Sequence, residues 1–248
     1  MVLRDPSLDP DRLRPVHAMG LSFANPLGLA AGLDRTGANL SALVAAGAGH
    51  VELGTLCTGA AARELRVPPD RAVRIGANIG STRCGIGRAV IMDYVAAMRE
   101  VAAWADYIVV NLTAPDRGRT CDTPGIPTLL EQLREARDRS ETTRSRPLLI
   151  KIAGGADGDP LPLAVHVARS IGLDGVVLVC ASARRIEAFA RHLGSGALIS
   201  VGGIDSGEEL DRRLAAGAVL AQIHTAYVQH GAPIISRMLC RQPARQDR

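Results

Sequence analysis

Lys151 is the single lysine among 29 lysines and arginines. A chain that uses arginine for every other fixed positive charge keeps an ammonium where a planar guanidinium would not serve. The lysine lies in Pro147-Leu148-Leu149-Ile150-Lys151-Ile152-Ala153-Gly154-Gly155, which reads as a buried parallel strand running into a glycine turn. At the end of such a strand a compact ammonium can donate to a ligand edge, form a Schiff base, or pair with a buried carboxylate. A second group is Val201-Gly202-Gly203-Ile204-Asp205, followed by Gln222-Ile223-His224-Thr225-Ala226. Glycines let backbone N–H groups approach an anion, and the Thr225 hydroxyl at a helix start would complete a phosphate cup. Asn78 and Asn111 each end a predicted strand and offer amides to a ring edge. Neither the cysteines (Cys57, Cys84, Cys121, Cys180, Cys240) nor the histidines cluster at metal-ligand spacing, so no metal is expected.

The elements that must position these groups are short apolar runs alternating with amphipathic stretches. Eight strands are predicted, over Leu27–Ala31, His50–Leu53, Val73–Asn78, Tyr107–Asn111, Leu148–Ile152, Gly175–Val179, Leu198–Val201 and Val219–Ile223. Most are continuous Val/Ile/Leu/Ala runs, as expected for parallel strands covered on both faces. Helices are predicted between them, and a last one over Pro233–Leu239. Eight strands with helical crossovers point to a single (β/α)8 barrel spanning residues 1–248, with about 1–15 as an N-terminal extension and 241–248 as a flexible tail. The doubly wound sheet is the alternative, but the first strand's turn has no G-x-G-x-x-G fingerprint. The unit between the second and third strands is reduced: Thr55 to Ala72 holds Gly59, three consecutive alanines and two prolines, and shows no convincing helix. Cover for that segment could come from a second copy, so a homodimer is one expected arrangement.

Composition narrows the function classes. Aromatic residues make up 2% of the chain, leaving few rings for base stacking, so no nucleic-acid partner is expected. No apolar run approaches the ~20 residues that span a bilayer, so no membrane partner is expected either. The odd, scattered cysteines and the missing secretory segment predict a reduced, cytoplasmic setting. The net charge of +4 comes from scattered arginines and reads as solubility with some pull on anions. The remaining partner class is a small-molecule substrate.

The segment Met19-Gly20-Leu21-Ser22-Phe23-Ala24-Asn25-Pro26-Leu27-Gly28-Leu29-Ala30-Ala31-Gly32-Leu33-Asp34-Arg35 resembles the opening of dihydroorotate dehydrogenases, especially the membrane-associated class. Collinear similarities follow at Glu52-Leu53-Gly54-Thr55, Asn78-Ile79-Gly80, Asn111-Leu112-Thr113, Ile150-Lys151-Ile152-Ala153, Asp174-Gly175-Val176 and Val201-Gly202-Gly203-Ile204-Asp205-Ser206. The resemblance covers about Leu13 to Met238 and implies a (β/α)8 barrel carrying FMN. It implies that Ala31, Gly32 and Thr55 line the flavin ring, and that Asn78 and Asn111 lie near the ring and substrate. Lys151 would meet the pyrimidine edge, while Gly202, Gly203 and Thr225 would hold the phosphate.

The departures fall on the substrate side. Where the family carries its catalytic serine in Asn-x-Ser-Ser-Pro-Asn, this chain reads Asn111-Leu112-Thr113-Ala114-Pro115-Asp116, which puts Ala114 at the base position. The Asn-Arg-Met-Gly-Phe substrate loop and the Gly-Leu-Ser-Gly phosphate loop are missing. Cys180-Ala181 replaces the ring-binding Asn-Thr pair, and Arg35 replaces a lysine. The resemblance therefore implies an FMN-dependent oxidoreductase acting on a small molecule other than dihydroorotate. Lys151, Asn111, Thr113 and Cys121 are its candidate catalytic residues, with Asp116 and Cys180 as further options for the missing base. Two readings stand beside it: a barrel that has lost catalysis and serves as a structural or regulatory partner, and a Schiff-base lyase using Lys151.

Overall fold

A computed structural model describes residues 14–59, 67, 73–113, 120–143 and 146–240. It opens with a short antiparallel hairpin, β1 (Val16–Ala18) and β2 (Leu21–Phe23), before the first barrel strand, β3 (Leu27–Leu29). There follow α1 (Leu40–Ala45), β4 (His50–Leu56), β5 (Arg74–Ile79), α2 (Arg88–Val101) and β6 (Tyr107–Asn111). A 3-10 turn at Thr120–Asp122 leads into α3 (Ile126–Arg139), β7 (Leu148–Ala153), α4 (Leu163–Ser170), β8 (Gly175–Val179) and α5 (Ala183–Leu193). The chain ends with β9 (Ala197–Val201), α6 (Gly207–Ala215), β10 (Leu220–Ile223), α7 (Thr225–His230) and α8 (Pro233–Leu239).

Strands β3 to β10 form a closed, all-parallel barrel in chain order, with β10 returning to pair β3. This is the expected (β/α)8 fold. The β1–β2 hairpin was not expected. Its Phe23 is fully buried and packs with Tyr107, Val109, Leu149, Val177 and Ile199, so the hairpin plugs the interior of the barrel. The reduced segment and the proposed tails fall mainly at residues 1–13, 60–66, 68–72 and 241–248, outside the described residues.

Each strand is apolar on both faces, yet the faces differ. In β6, Tyr107 and Val109 pack in the inner cluster, while Ile108 and Val110 pack outward against helices. The two-residue period of a strand then carries Asn111 onto the inner side. The same count places Lys151 above Leu149, Gln222 above Leu220, and Glu52 beside the outward-packed Val51 and Leu53. Two glycines make room for rings at the inner positions below. A Cβ at Gly28 would lie 2.2 Å from the His50 ring, and one at Gly76 would lie 2.3 Å from the Tyr107 ring. His50 and Tyr107 meet edge to face with Phe23 (ring centroids 5.6 and 6.4 Å).

That packing holds His50 in its neutral form. Burial pushes its pKa down from 6.5 to about 4, against a smaller opposing pull from the Glu52 charge. Between these pH values the unfolded chain binds a proton that the folded chain excludes. Stability is therefore complete above pH 6.5 and falls with pH, by about 3 kcal/mol from this group once pH 4 is reached. Urea unfolding of wild type and His50→Leu, of similar volume, at pH 7 and pH 4.5 checks this. The wild type should lose more on acidification than the variant, and equal losses would refute the assignment.

Candidate active site at the barrel mouth

The strand ends bring the expected polar residues into one network, organised by a residue that the sequence did not nominate. Glu52, in the middle of β4, is fully buried. It accepts from Gln222 Nε2 at 2.8 Å, Asn78 Nδ2 at 2.9 Å and Lys151 Nζ at 3.4 Å. Of the three openings left to the ammonium, ligand donor, Schiff base or buried ion pair, the structure thus shows the ion pair (Lys151 is 8% exposed). A lone ammonium so far from water would be strongly disfavoured, and the carboxylate compensates it.

From Asn78 the network runs outward. Thr55 Oγ1 donates to Asn78 Oδ1 at 2.9 Å, and Asn111 Nδ2 donates to Thr55 Oγ1 at 2.7 Å. Asn111 Oδ1 accepts from both the backbone N–H and the hydroxyl of Thr113, at 2.9 and 2.7 Å. Tyr94 of α2 fixes the strand end by donating its hydroxyl to the Asn111 carbonyl at 2.7 Å. Thus Thr55, Asn78, Asn111, Thr113 and Lys151, which the sequence singled out separately, share one connected set. Burial, reinforced by the Glu52 and Asp106 carboxylates, raises the Tyr107 hydroxyl well above the ordinary phenol range. It is therefore a neutral floor beneath this set.

Ala31 and Gly32 follow β3, and Gly32 has φ +103°. A Cβ there would sit 3.3 Å from the His224 imidazole, so the backbone at this rim passes close to the end of β10. Asp34 does not pair with Arg35. Its buried carboxylate accepts from the N–H groups of Thr36, Gly37 and Asn39, ordering the approach to α1.

Gly202 and Gly203 leave β9 at φ +102° and +71°, and Thr225 opens α7. Among the described residues, the N–H groups of Gly202, Gly203 and Thr225 donate to no protein acceptor, which suits an anion cup. Two buried arginines shape the rim around it. Arg213 of α6 donates to the carbonyls of Cys180 and Gly202, and to Glu209. Arg185 of α5 donates to the carbonyls of Gly154, Asp159 and Pro160. The sequence alone read such arginines as solvated charge; they are tethers for the loops after β7, β8 and β9.

The remaining candidates are placed differently. Cys121 is buried in the 3-10 turn among the apolar side chains outside the barrel, with its thiol 3.9 Å from the Asp122 carboxylate. Cys180 lies at the end of β8, and its sulfur accepts from the Ser182 N–H at 3.3 Å. Ala114 and Asp116 lie outside the described residues. No group of three or more metal-ligating side chains occurs among the described residues, and no described helix is long and apolar enough to cross a membrane. A groove of about 500 Å³, lined by Arg99, Glu131 and Glu135, lies on the outer helical wall.

No family model matches the chain. Individual proteins do. A dihydroorotate dehydrogenase (quinone) of Kineococcus radiotolerans is 30% identical, over 96% of this chain and 84% of that protein. One of Thermus thermophilus is 33% identical, over 92% of this chain and 81% of that protein. The first alignment runs over 306 residues, more than the 248 of this chain, so the relative carries segments absent here. Among solved structures, ligand-free DHODH from Eimeria tenella superposes with a TM-score of 0.76 at 20% identity, covering 94% of this chain and 87% of that one. The ferulenol complex of the Eimeria tenella DHODH gives 0.75, covering 95% and 84%. Identity at this level across nearly the whole barrel, together with the shared fold, means that the chain belongs to the dihydroorotate dehydrogenase family.

Proposed function

We propose that this chain is an FMN-dependent oxidoreductase whose substrate is a small molecule other than dihydroorotate. The observation that carries the flavin half is Lys151, held at the barrel mouth by Glu52 with one of its three protons directed to an acceptor among the described residues. The residues fit FMN at both ends: an ammonium beside amides for the ring, and the N–H groups of Gly202, Gly203 and Thr225, which meet no acceptor among the described residues, for the phosphate. When bound, FMN supplies a ring that accepts a hydride from the substrate and carries the resulting charge toward its pyrimidine edge. Lys151 would stabilise that charge, Ala31, Gly32 and Thr55 would line the ring, and Asn78 and Asn111 would hold it through amide contacts. Thr113 would meet the substrate.

The substrate half rests on what replaces the family's machinery. Ala114 cannot accept a proton, and loss of a general base alone typically costs about 10²–10⁴-fold. At the position of the ring-binding asparagine, Cys180 offers a sulfur already engaged by the start of α5. An amide both donates and accepts strongly, which a thiol does not reproduce. Protein loaded with FMN is expected to show a flavin spectrum. It should form no orotate from dihydroorotate with quinone, fumarate, NAD or oxygen as acceptor. Sustained turnover with any of the four would overturn the substrate assignment.

A further inference from the structure

We infer that Arg213 is a positioning residue for the anion cup: it holds the Gly202–Gly203 peptide with its carbonyl toward α6 and its N–H turned the opposite way, into the open rim, where it receives a phosphate group. The inference rests on the flavin reading for its ligand, and on the geometry at the end of β9 for the peptide.

A trans peptide points its C=O and its N–H in opposite directions. The Gly202–Gly203 bond is trans, and the Gly202 carbonyl accepts from Arg213 Nη2 at 3.0 Å. The Gly203 N–H is therefore directed away from the guanidinium, at a glycine exposed on the rim. Among the described residues this peptide makes no other hydrogen bond: the Gly203 N–H meets no acceptor, and no second donor reaches the Gly202 carbonyl. The anchor matters because of what it holds. Both flanking residues are glycines at positive φ, +102° and +71°, and glycine has the widest choice of backbone angles. Such a peptide can turn over at little steric cost, which would exchange the N–H at the rim for a carbonyl. An N–H attracts an anion, and a carbonyl oxygen repels one.

Arg213 acts here through the backbone. It is buried, and its remaining donors reach Glu209, the Cys180 carbonyl and Ser200 Oγ. Its charge is paired with Glu209, which also binds the exposed Arg212 at 2.7 Å. The Cys180 carbonyl is tied to the same fork, so the Ala181 N–H is turned away from it as well, and that N–H also meets no acceptor among the described residues. A Cβ on Gly203 would lie 3.5 Å from the Ala181 Cβ, so the two anchored peptides are neighbours. One planar guanidinium thus sets two strand ends, which the single point charge of a lysine could not span.

The test compares FMN with riboflavin, which carries the same ring without the phosphate. Both are titrated by fluorescence into wild type, Arg213→Met and Arg212→Met, with folding of each confirmed by urea unfolding. Arg213→Met should weaken FMN binding about tenfold or more, the worth of one hydrogen bond to a charged group. Its riboflavin affinity should stay within about threefold of wild type. Arg212→Met removes the same charge from the same carboxylate without releasing a carbonyl, and should leave both affinities unchanged. Equal weakening of FMN and riboflavin in Arg213→Met overturns the positioning role, and so does unchanged FMN affinity. An equal FMN loss in Arg212→Met overturns it too, by making the effect one of charge alone. If Arg213→Met does not fold, Arg213→Lys takes its place, with the same selective loss expected because its ammonium cannot bridge both carbonyls. Wild type that takes up neither flavin refutes the flavin reading instead. Inorganic phosphate then becomes the probe: in amide NMR spectra the Gly203 proton should respond to it in wild type and not in the Arg213 variant, and equal responses, or none in wild type, overturn the inference.

Discussion

Replacing Glu52 by leucine is expected to lower the free energy of unfolding by about 3–5 kcal/mol, because it leaves a buried charge without its partner. The Lys151 ammonium loses its counter-charge, and the Asn78 and Gln222 amides each lose an acceptor away from water. A second substitution separates these losses. Lys151→Met removes the orphaned charge at similar length, and buried ion pairs replaced by apolar residues are often neutral in stability. The double variant should therefore recover the part of the loss due to the orphaned charge and retain the part due to the two amides. Urea unfolding of the two single variants and the double variant checks this. Glu52→Leu as stable as wild type, or a double variant with the summed loss of both singles, would mean that the pair is not the anchor of the barrel mouth.

The barrel itself was legible because eight apolar runs separated by helical stretches admit few other arrangements. Their bounds moved by at most three residues, as at β4, expected to end at Leu53 and found to reach Leu56. The β1–β2 hairpin was missed because Val16–Ala18 and Leu21–Phe23 are only three residues each, too short for a two-residue period to register. The polar residues of the mouth were legible one at a time, since asparagine or lysine ending an apolar strand has no packing reason to be there. Their connection was not. It depends on Glu52, set inside His-Val-Glu-Leu, which reads as one polar exception within a strand. The signal was available in the strand period: counting in twos along β4, β5, β6 and β7 puts Glu52, Asn78, Asn111 and Lys151 all on inner positions. Arg185 and Arg213 were hidden for another reason. On an amphipathic helix an arginine normally lies toward solvent, and only the carbonyls left by the loops after β7, β8 and β9 draw these two inward.

Lys151 joins the fold and the proposed chemistry, so its replacement should have the largest effect on ligand binding. Arginine retains the charge, but its planar fork cannot occupy a pocket built around a compact ammonium, whereas methionine retains length and removes charge. The decisive measurement is a fluorescence titration of FMN into wild type, Lys151→Arg and Lys151→Met, with folding of each confirmed by urea unfolding. Wild type should saturate with a Kd below about 100 µM, and both variants should bind at least about tenfold more weakly, a loss of about 1.4 kcal/mol or more. Wild type that shows no saturable change, or folded variants that bind FMN as tightly as wild type, would contradict a flavin seated against Lys151.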